Sequence, residues 1–226
     1  MNKLLSSSRW MRAHGWLLEN RVLVALLFGG VLLPLLAFGA IAEDVWDKET
    51  LRGDDPILLW AHSRANPQLD RLMLAITHIG SPPLMFSMYA AVAWFLWAKK
   101  RRGDLWFFLV SVSGAGLLNL VAKRFFNRAR PDLWLSIDPR SDFSFPSGHA
   151  MGTMALFTAL CVLTWPTKRR WPVLATGAIV VFFVGLSRIY LGVHFPSDVL
   201  CGWLASLSWV LGLHLIRRTR LRRNEV

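Results

Sequence analysis

The chain has 226 residues, of which 54% are hydrophobic, and a formal net charge of +12. So apolar a composition, gathered in long runs, excludes an ordinary soluble domain, because too little polar sequence is left to cover the runs. In a soluble protein the positive charge would suggest nucleic acid; here it lies in blocks between the apolar runs, which points to membrane topology and away from nucleic acid.

Six segments approach the roughly 20 apolar residues needed to span a hydrocarbon core. They are 22–42, 72–98, 104–122, 149–165, 172–190 and 197–216. Continuous runs rather than short alternating strands predict helices, not a barrel. The expected fold is therefore all-α: a polytopic membrane protein with six transmembrane helices in one membrane-embedded domain over 1–226. The first segment follows a basic start, and Ala40-Ile41-Ala42 resembles a signal cleavage site. Its apolar stretch is longer than a signal core, so it reads as an anchor.

Sixteen Lys and Arg fall in the first 21 residues, in Lys99–Arg102, in Lys168–Arg170 and in the tail from Arg217. These are alternate loops, so the positive-inside rule puts them, and both termini, in the cytoplasm. Trp94, Trp97, Trp106, Trp165 and Trp171 flank the same boundaries, as an interfacial aromatic belt would. Three loops then face outward: 43–71, 123–148 and 187–196. In the first, Asp54-Asp55-Pro56 reads as the start of a surface helix rather than a metal site. Cys161 and Cys201 lie about 18 Å and about 6 Å below the outer ends of their helices, so no disulfide is expected.

Six cations, Lys123, Arg124, Arg128, Arg130, Arg140 and Arg188, fall in the last two outward loops, against the positive-inside bias. An anionic ligand is the simplest reason. In Lys-Arg-Phe-Phe-Asn-Arg-Ala-Arg-Pro, residues 123–131, a helix continuing outward would put Lys123 and Arg130 on one face, about 10 Å apart along the axis. The plainer reading is a snorkelling helix end. In Phe-Pro-Ser-Gly-His-Ala-Met-Gly, residues 145–152, Ser147 reads as an N-cap, the free N–H groups of the first turn as an anion site, and His149 as a proton donor. Gly148 and Gly152 also fit a close-packing pair. In residues 187–198, Arg188 ends one helix, Pro196 suits the first position of the next, and Asp198 lies within a turn of His194. A carboxylate there would set the imidazole tautomer and leave the other nitrogen free to attack. A His–Asp pair also serves as a plain helix cap. By the assigned topology all three pieces meet at one level, with the parts phosphoryl transfer needs.

The combined pattern resembles the type-2 phosphatidic acid phosphatase family, which shares its site with vanadium haloperoxidases. Lys-x6-Arg-Pro is matched by Lys123, Arg130 and Pro131; Pro-Ser-Gly-His by Pro146, Ser147, Gly148 and His149; Ser-Arg-x5-His-x3-Asp by Ser187, Arg188, His194 and Asp198. The resemblance implies a lipid phosphatase with motif core 123–198. It makes His194 the nucleophile that forms a phosphohistidine, Asp198 its orienting partner, and His149 the proton donor to the leaving oxygen. Lys123, Arg130, Arg188, Ser147 and the Gly148 N–H would hold phosphate, with no metal or other cofactor required. Undecaprenyl diphosphate, phosphatidylglycerophosphate and phosphatidic acid are the implied candidate substrates, met at the extracytoplasmic face of the cell (inner) membrane. Phosphotransfer between lipids, and an anion or lipid transporter without catalysis, are the alternatives. Of the remaining residues, Asn119 is placed to orient Lys123, and His78 reads as a neutral histidine packed at a kinked helix. Arg124, Arg128 and Arg140 suggest a highly charged headgroup; His14, His62 and His214 carry no signal.

Overall fold

The computed structural model of the protein describes residues 20–49 and 51–223. His14 and the basic residues before Arg21 lie outside the described residues. Among those described there are helices and no strands. The helices are α1 (Arg21–Trp46, with a π-helical turn at Phe28–Leu32), α2 (Asp54–His62), α3 (Pro67–Ile79), α4 (Pro82–Ala98), α5 (Arg102–Phe126), α6 (Gly148–Thr164), α7 (Arg170–Tyr190) and α8 (Pro196–Arg223).

Of the six expected spans, four are found among the described residues, or five if a bent pair of helices counts as one. Helices α1, α5, α7 and α8 are long and apolar enough to cross a membrane, and α3 with α4 makes a further apolar pair bent by 42°. The run 72–98 is therefore not one helix. Pro82 and Pro83 cannot donate to the preceding turn, and Ser81, as the residue before proline, is held extended at φ −68°, ψ 148°. Upstream, the Asn66 side chain caps α3 by accepting from the Gln68 and Leu69 N–H groups, with Pro67 at the first position. Helix α6 has 17 residues, about 25 Å of rise, short of the roughly 30 Å of a hydrocarbon core.

That short helix is the centre of the bundle. It packs against α5, α7 and α8, and its small residues Ala155 and Ala159 join Phe108, Val112 and Val210 in the main core. Close approach at Gly30, where a Cβ would meet Leu211, seats α1 on α8. The outward surfaces are apolar: Leu36, Phe86, Trp94 and Trp106 are each at least 66% exposed. Water would not tolerate such a girdle, whereas lipid would. Both cysteines are free. The motif-bearing ends of α5, α6, α7 and α8 gather at one end of the bundle. Lys99–Arg102, Lys168–Arg170 and the basic end of α8 lie at the other.

Candidate active site

Helix α5 stops at Phe126, because Asn127 takes the left-handed conformation (φ 49°) and returns its N–H to the Lys123 carbonyl. Arg130 is thus not on the helix, and the shared helical face expected for Lys123 and Arg130 does not exist. The two cations meet by another route. Residues 127–147 fold back as an irregular loop, pinned where Ser144 bonds the Arg128 and Ala129 carbonyls. From that loop the Asp142 carboxylate accepts from Lys123 Nζ and, at 2.6 Å, from Arg130 Nη2. Lys123 also donates to the Phe143 carbonyl (2.6 Å), and Arg130 Nε to that of Asp142 (2.8 Å).

His194 sits in the short turn between α7 and α8 and is 1% exposed. Its Nε2 lies 3.1 Å from Arg130 Nη1, and its Nδ1 lies 3.4 Å from Asp198 Oδ2. A guanidinium only donates and an ionised carboxylate only accepts. These partners assign the proton to Nδ1 and leave the lone pair on Nε2. Burial, reinforced by Arg130, Arg188 and Lys123, holds the imidazole well below the usual histidine range. Asp198 is the third residue of α8, and its Oδ2 also accepts from the Phe195 N–H (2.9 Å), half of a capping box.

Ser147 occupies the N-cap position of α6, but its hydroxyl caps nothing: Oγ is buried without a protein partner, as are His149 Nε2 and Arg188 Nε. Native proteins rarely leave such groups unpaired, and here three of them belong to the second and third motifs. The loop is fastened instead through its backbone, with the Ser147 N–H donating to the Asp198 carbonyl (3.0 Å). Gly202 of α8 permits this approach; a Cβ there would stand 2.9 Å from the Ser147 carbonyl. Arg188, 1% exposed in the last turn of α7, donates through Nη1 to Thr77 Oγ1 (2.6 Å) and Asp138 Oδ2 (3.0 Å). His149 lies within electrostatic range of Arg188 and His194. All eight residues singled out from the sequence therefore gather at one place.

Several neighbours were not legible in advance. Asp138 and Asp142 fill the cation cluster. Burial works to raise both carboxyls, but hydrogen bonds from Arg188 and Arg140, and from Lys123 and Arg130, outweigh it and hold both below the usual range. Their faint signal was position among the cations of the loop 123–148, which also holds Asp132 and so does not single them out. Thr77 and Gly80 come from the α3–α4 bend; a Cβ on Gly80 would stand 3.0 Å from His149 Cδ2 and 2.7 Å from Val184. His78 beside them is exposed rather than packed, because Thr77 is the residue that turns inward. Asn119 does not orient Lys123; its amide donates to the Pro146 carbonyl (2.9 Å) and so braces the loop before α6. Asp54 is not a surface cap but 2% exposed, and Arg128 is turned inward to it, not outward to a headgroup. Arg140 is paired with Asp138, while Arg124 is exposed.

The family model described as the PAP2 superfamily matches residues 104–222, a stretch that includes all eight site residues. Phosphatidylglycerophosphatase B of Bacillus subtilis is 29% identical over 177 residues, which are 76% of this chain and 87% of that protein. The undecaprenyl-diphosphatase of Sulfolobus acidocaldarius is 39% identical over 85 residues, 38% of each chain. The crystal structure of a transmembrane PAP2 type phosphatidylglycerolphosphate phosphatase from Bacillus subtilis superposes with a TM-score of 0.75 at 25% identity, covering 83% of this chain and 96% of that one.

Proposed function

The chain belongs to the PAP2 superfamily, and we propose that it is an integral membrane lipid phosphatase that hydrolyses a phosphate or diphosphate headgroup through a phosphohistidine. One observation carries this reading: the His194 ring lies between Arg130 and Asp198, 3.1 Å and 3.4 Å away, partners that assign the proton to Nδ1 and turn the Nε2 lone pair toward the cation cluster. In the proposed reaction the substrate phosphate displaces Asp142 from Lys123 and Arg130, exchanging one anion for another. Arg188, the Ser147 hydroxyl and the Gly148 N–H at the start of α6 take its remaining oxygens. His194 Nε2 then attacks phosphorus in line, and the bond to the ester oxygen breaks as His149 gives that oxygen a proton. Water, deprotonated by the same His149, attacks the phosphohistidine; inorganic phosphate leaves and Nε2 regains its lone pair.

A membrane substrate is supported by an apolar groove of about 540 Å³ between α1, α5 and α8. Phe38, Leu118, Phe125 and Trp209 line it, together with Pro146 and Met151, which stand on either side of Ser147-Gly148-His149 in the chain. A hydrocarbon tail in the groove would leave its headgroup beside the site. The relatives named for phosphatidylglycerophosphate and undecaprenyl diphosphate suggest those two lipids, with phosphatidic acid, as the substrates to try. The gathering of Lys and Arg at the other end of the bundle supports cytoplasmic termini and an extracytoplasmic site in the inner membrane.

The test uses purified protein in detergent micelles with those three lipids. Phosphate release that persists in chelator and is lost in His194→Ala is expected, with phosphate label acid-labile on wild-type protein during turnover. Full activity in His194→Ala would sink the mechanism. Label arriving on a second lipid rather than in free phosphate would make the enzyme a transferase.

A further inference from the structure

Behind His194, on the side away from the phosphate cations, lies a second charged assembly, of which only Asp198 is a fixed position of a motif. Asp54 opens α2, in the first outward loop, yet its side chain is buried. One of its oxygens accepts from the Ser197 N–H (3.0 Å); the other accepts from the Ser197 hydroxyl (2.6 Å) and from Arg128 Nη2 (2.8 Å). Arg128 in turn donates through Nη1 to Asp198 Oδ1 (2.6 Å) and to Ser197 Oγ (2.8 Å), with its guanidinium over the Phe195 ring at 4.1 Å. Asp198 is fully buried. Its Oδ1 goes to Arg128, and its Oδ2 faces His194.

We propose that Asp54 and Arg128 are positioning residues for the reaction, a relay Asp54–Arg128–Asp198–His194 that keeps the Asp198 carboxylate charged and aimed at the imidazole. The proposal rests on His194 being the nucleophile. A carboxylate without contact to water needs a counter-charge, or it takes up a proton and stops accepting the Nδ1–H. The groups facing Asp198 are Arg128, His194 and the Ser144 hydroxyl, with Lys123 of α5 and Cys201 of α8 further off and Asp54 behind Arg128. Arg128 is the cation in direct contact. Its planar fork serves two carboxylates at once, which an ammonium group cannot do in the same plane. Asp54 holds that fork and the first turn of α8 together, so a residue some 140 positions upstream in the chain sets the angle of the nucleophile. Neither Asp54 nor Arg128 touches the phosphate cations Lys123, Arg130 and Arg188 through any contact seen here.

The experiment compares Arg128→Gln, Arg128→Lys, Asp54→Asn and the double variant Asp54→Asn/Arg128→Gln with His194→Ala, as full-length protein in micelles with phosphatidic acid as substrate. Arg128→Gln is expected to lower kcat about 100-fold, with KM and the inhibition constant for orthovanadate within about threefold of wild type. The acid limb of its kcat profile should move up by about one pH unit or more. Arg128→Lys should recover part of the rate. Asp54→Asn is expected to cost about tenfold, and the double variant no more than Arg128→Gln alone, since the two act through one carboxylate. If Arg128→Gln does not fold, Asp54→Asn decides by the same pH profile. Wild-type kcat in Arg128→Gln or in Asp54→Asn, or a loss equal at every pH without recovery in Arg128→Lys, would overturn the relay. So would vanadate binding that weakens in step with kcat, because Arg128 would then be holding phosphate. Activity in His194→Ala would instead sink the reading on which the relay depends.

Discussion

His194 stands between two acid–base clusters of the same chemistry and opposite exposure. In front, Lys123 and Arg130 clasp Asp142, whose side chain is 58% exposed. Behind, Arg128 clasps Asp198 and Asp54, whose side chains are 0% and 3% exposed. An exposed carboxylate gives up its partners at little cost, because water and salt solvate what it leaves. A buried one cannot, since removal of either partner strands a charge without solvent. The front cluster is thus suited to exchange its anion for phosphate. The rear one is suited to hold a geometry that the exchange must not disturb.

The largest expected effect tests the rear. His194→Ala should lower kcat about 10³-fold or more, and Asp198→Asn about 10²-fold or more, with little change in inhibition by inorganic phosphate. Steady-state kinetics on micellar substrate checks this, and an Asp198→Asn enzyme near wild type would break the contrast. Gly80→Ala lies outside both clusters, and its Cβ would press on Val184 and on His149. A fall in kcat of roughly tenfold with unchanged vanadate inhibition is expected, measured in the same assay.

Smaller again is the front. Asp142→Asn removes the competing anion, so vanadate and phosphate should inhibit about two- to fivefold more tightly, and less so in 1 M salt. Weaker inhibition would show that Asp142 braces the cations instead. The smallest effect is on stability. The folded protein keeps His194 unprotonated where the unfolded chain takes up a proton, so stability is lost as pH falls below about 6.5. Asp138 and Asp142 are held down as well, so their contribution is also lost as pH falls, but only around and below the usual carboxylate range, and it changes little between pH 7 and 5. Thermal melting at pH 7 and pH 5 should differ by roughly 2–4 °C more in wild type than in His194→Gln.

Legibility followed the range of the interactions. Helix existence was readable because apolar length is a property of a local window; α1, α5, α7 and α8 lie close to the expected runs. Where a few residues overrode the window, it was not. Ser81-Pro82 split one run into α3 and α4, and Asn127 ended α5 a turn before Arg130. The eight candidate site residues could be named in advance because each belongs to one of three short motifs, a local property of the chain. Asp54 and Asp142 were not, since nothing near them in the chain marks one as buried and the other as a partner for two cations.

By itself, then, the sequence determined the class of the protein and the chemical inventory of its site: apolar runs that only lipid can surround, and histidines, an acid and cations at helix ends facing one way. What only the tertiary structure decided is which charge meets which. Lys123 and Arg130 converge through a folded-back loop rather than along a helix, and Asp54 reaches from the start of α2 to Arg128 and Ser197. The physical reason is that hydropathy and spacing act over a few turns of chain. The energy of a charge, by contrast, depends on its burial and on partners that packing brings from anywhere in the molecule.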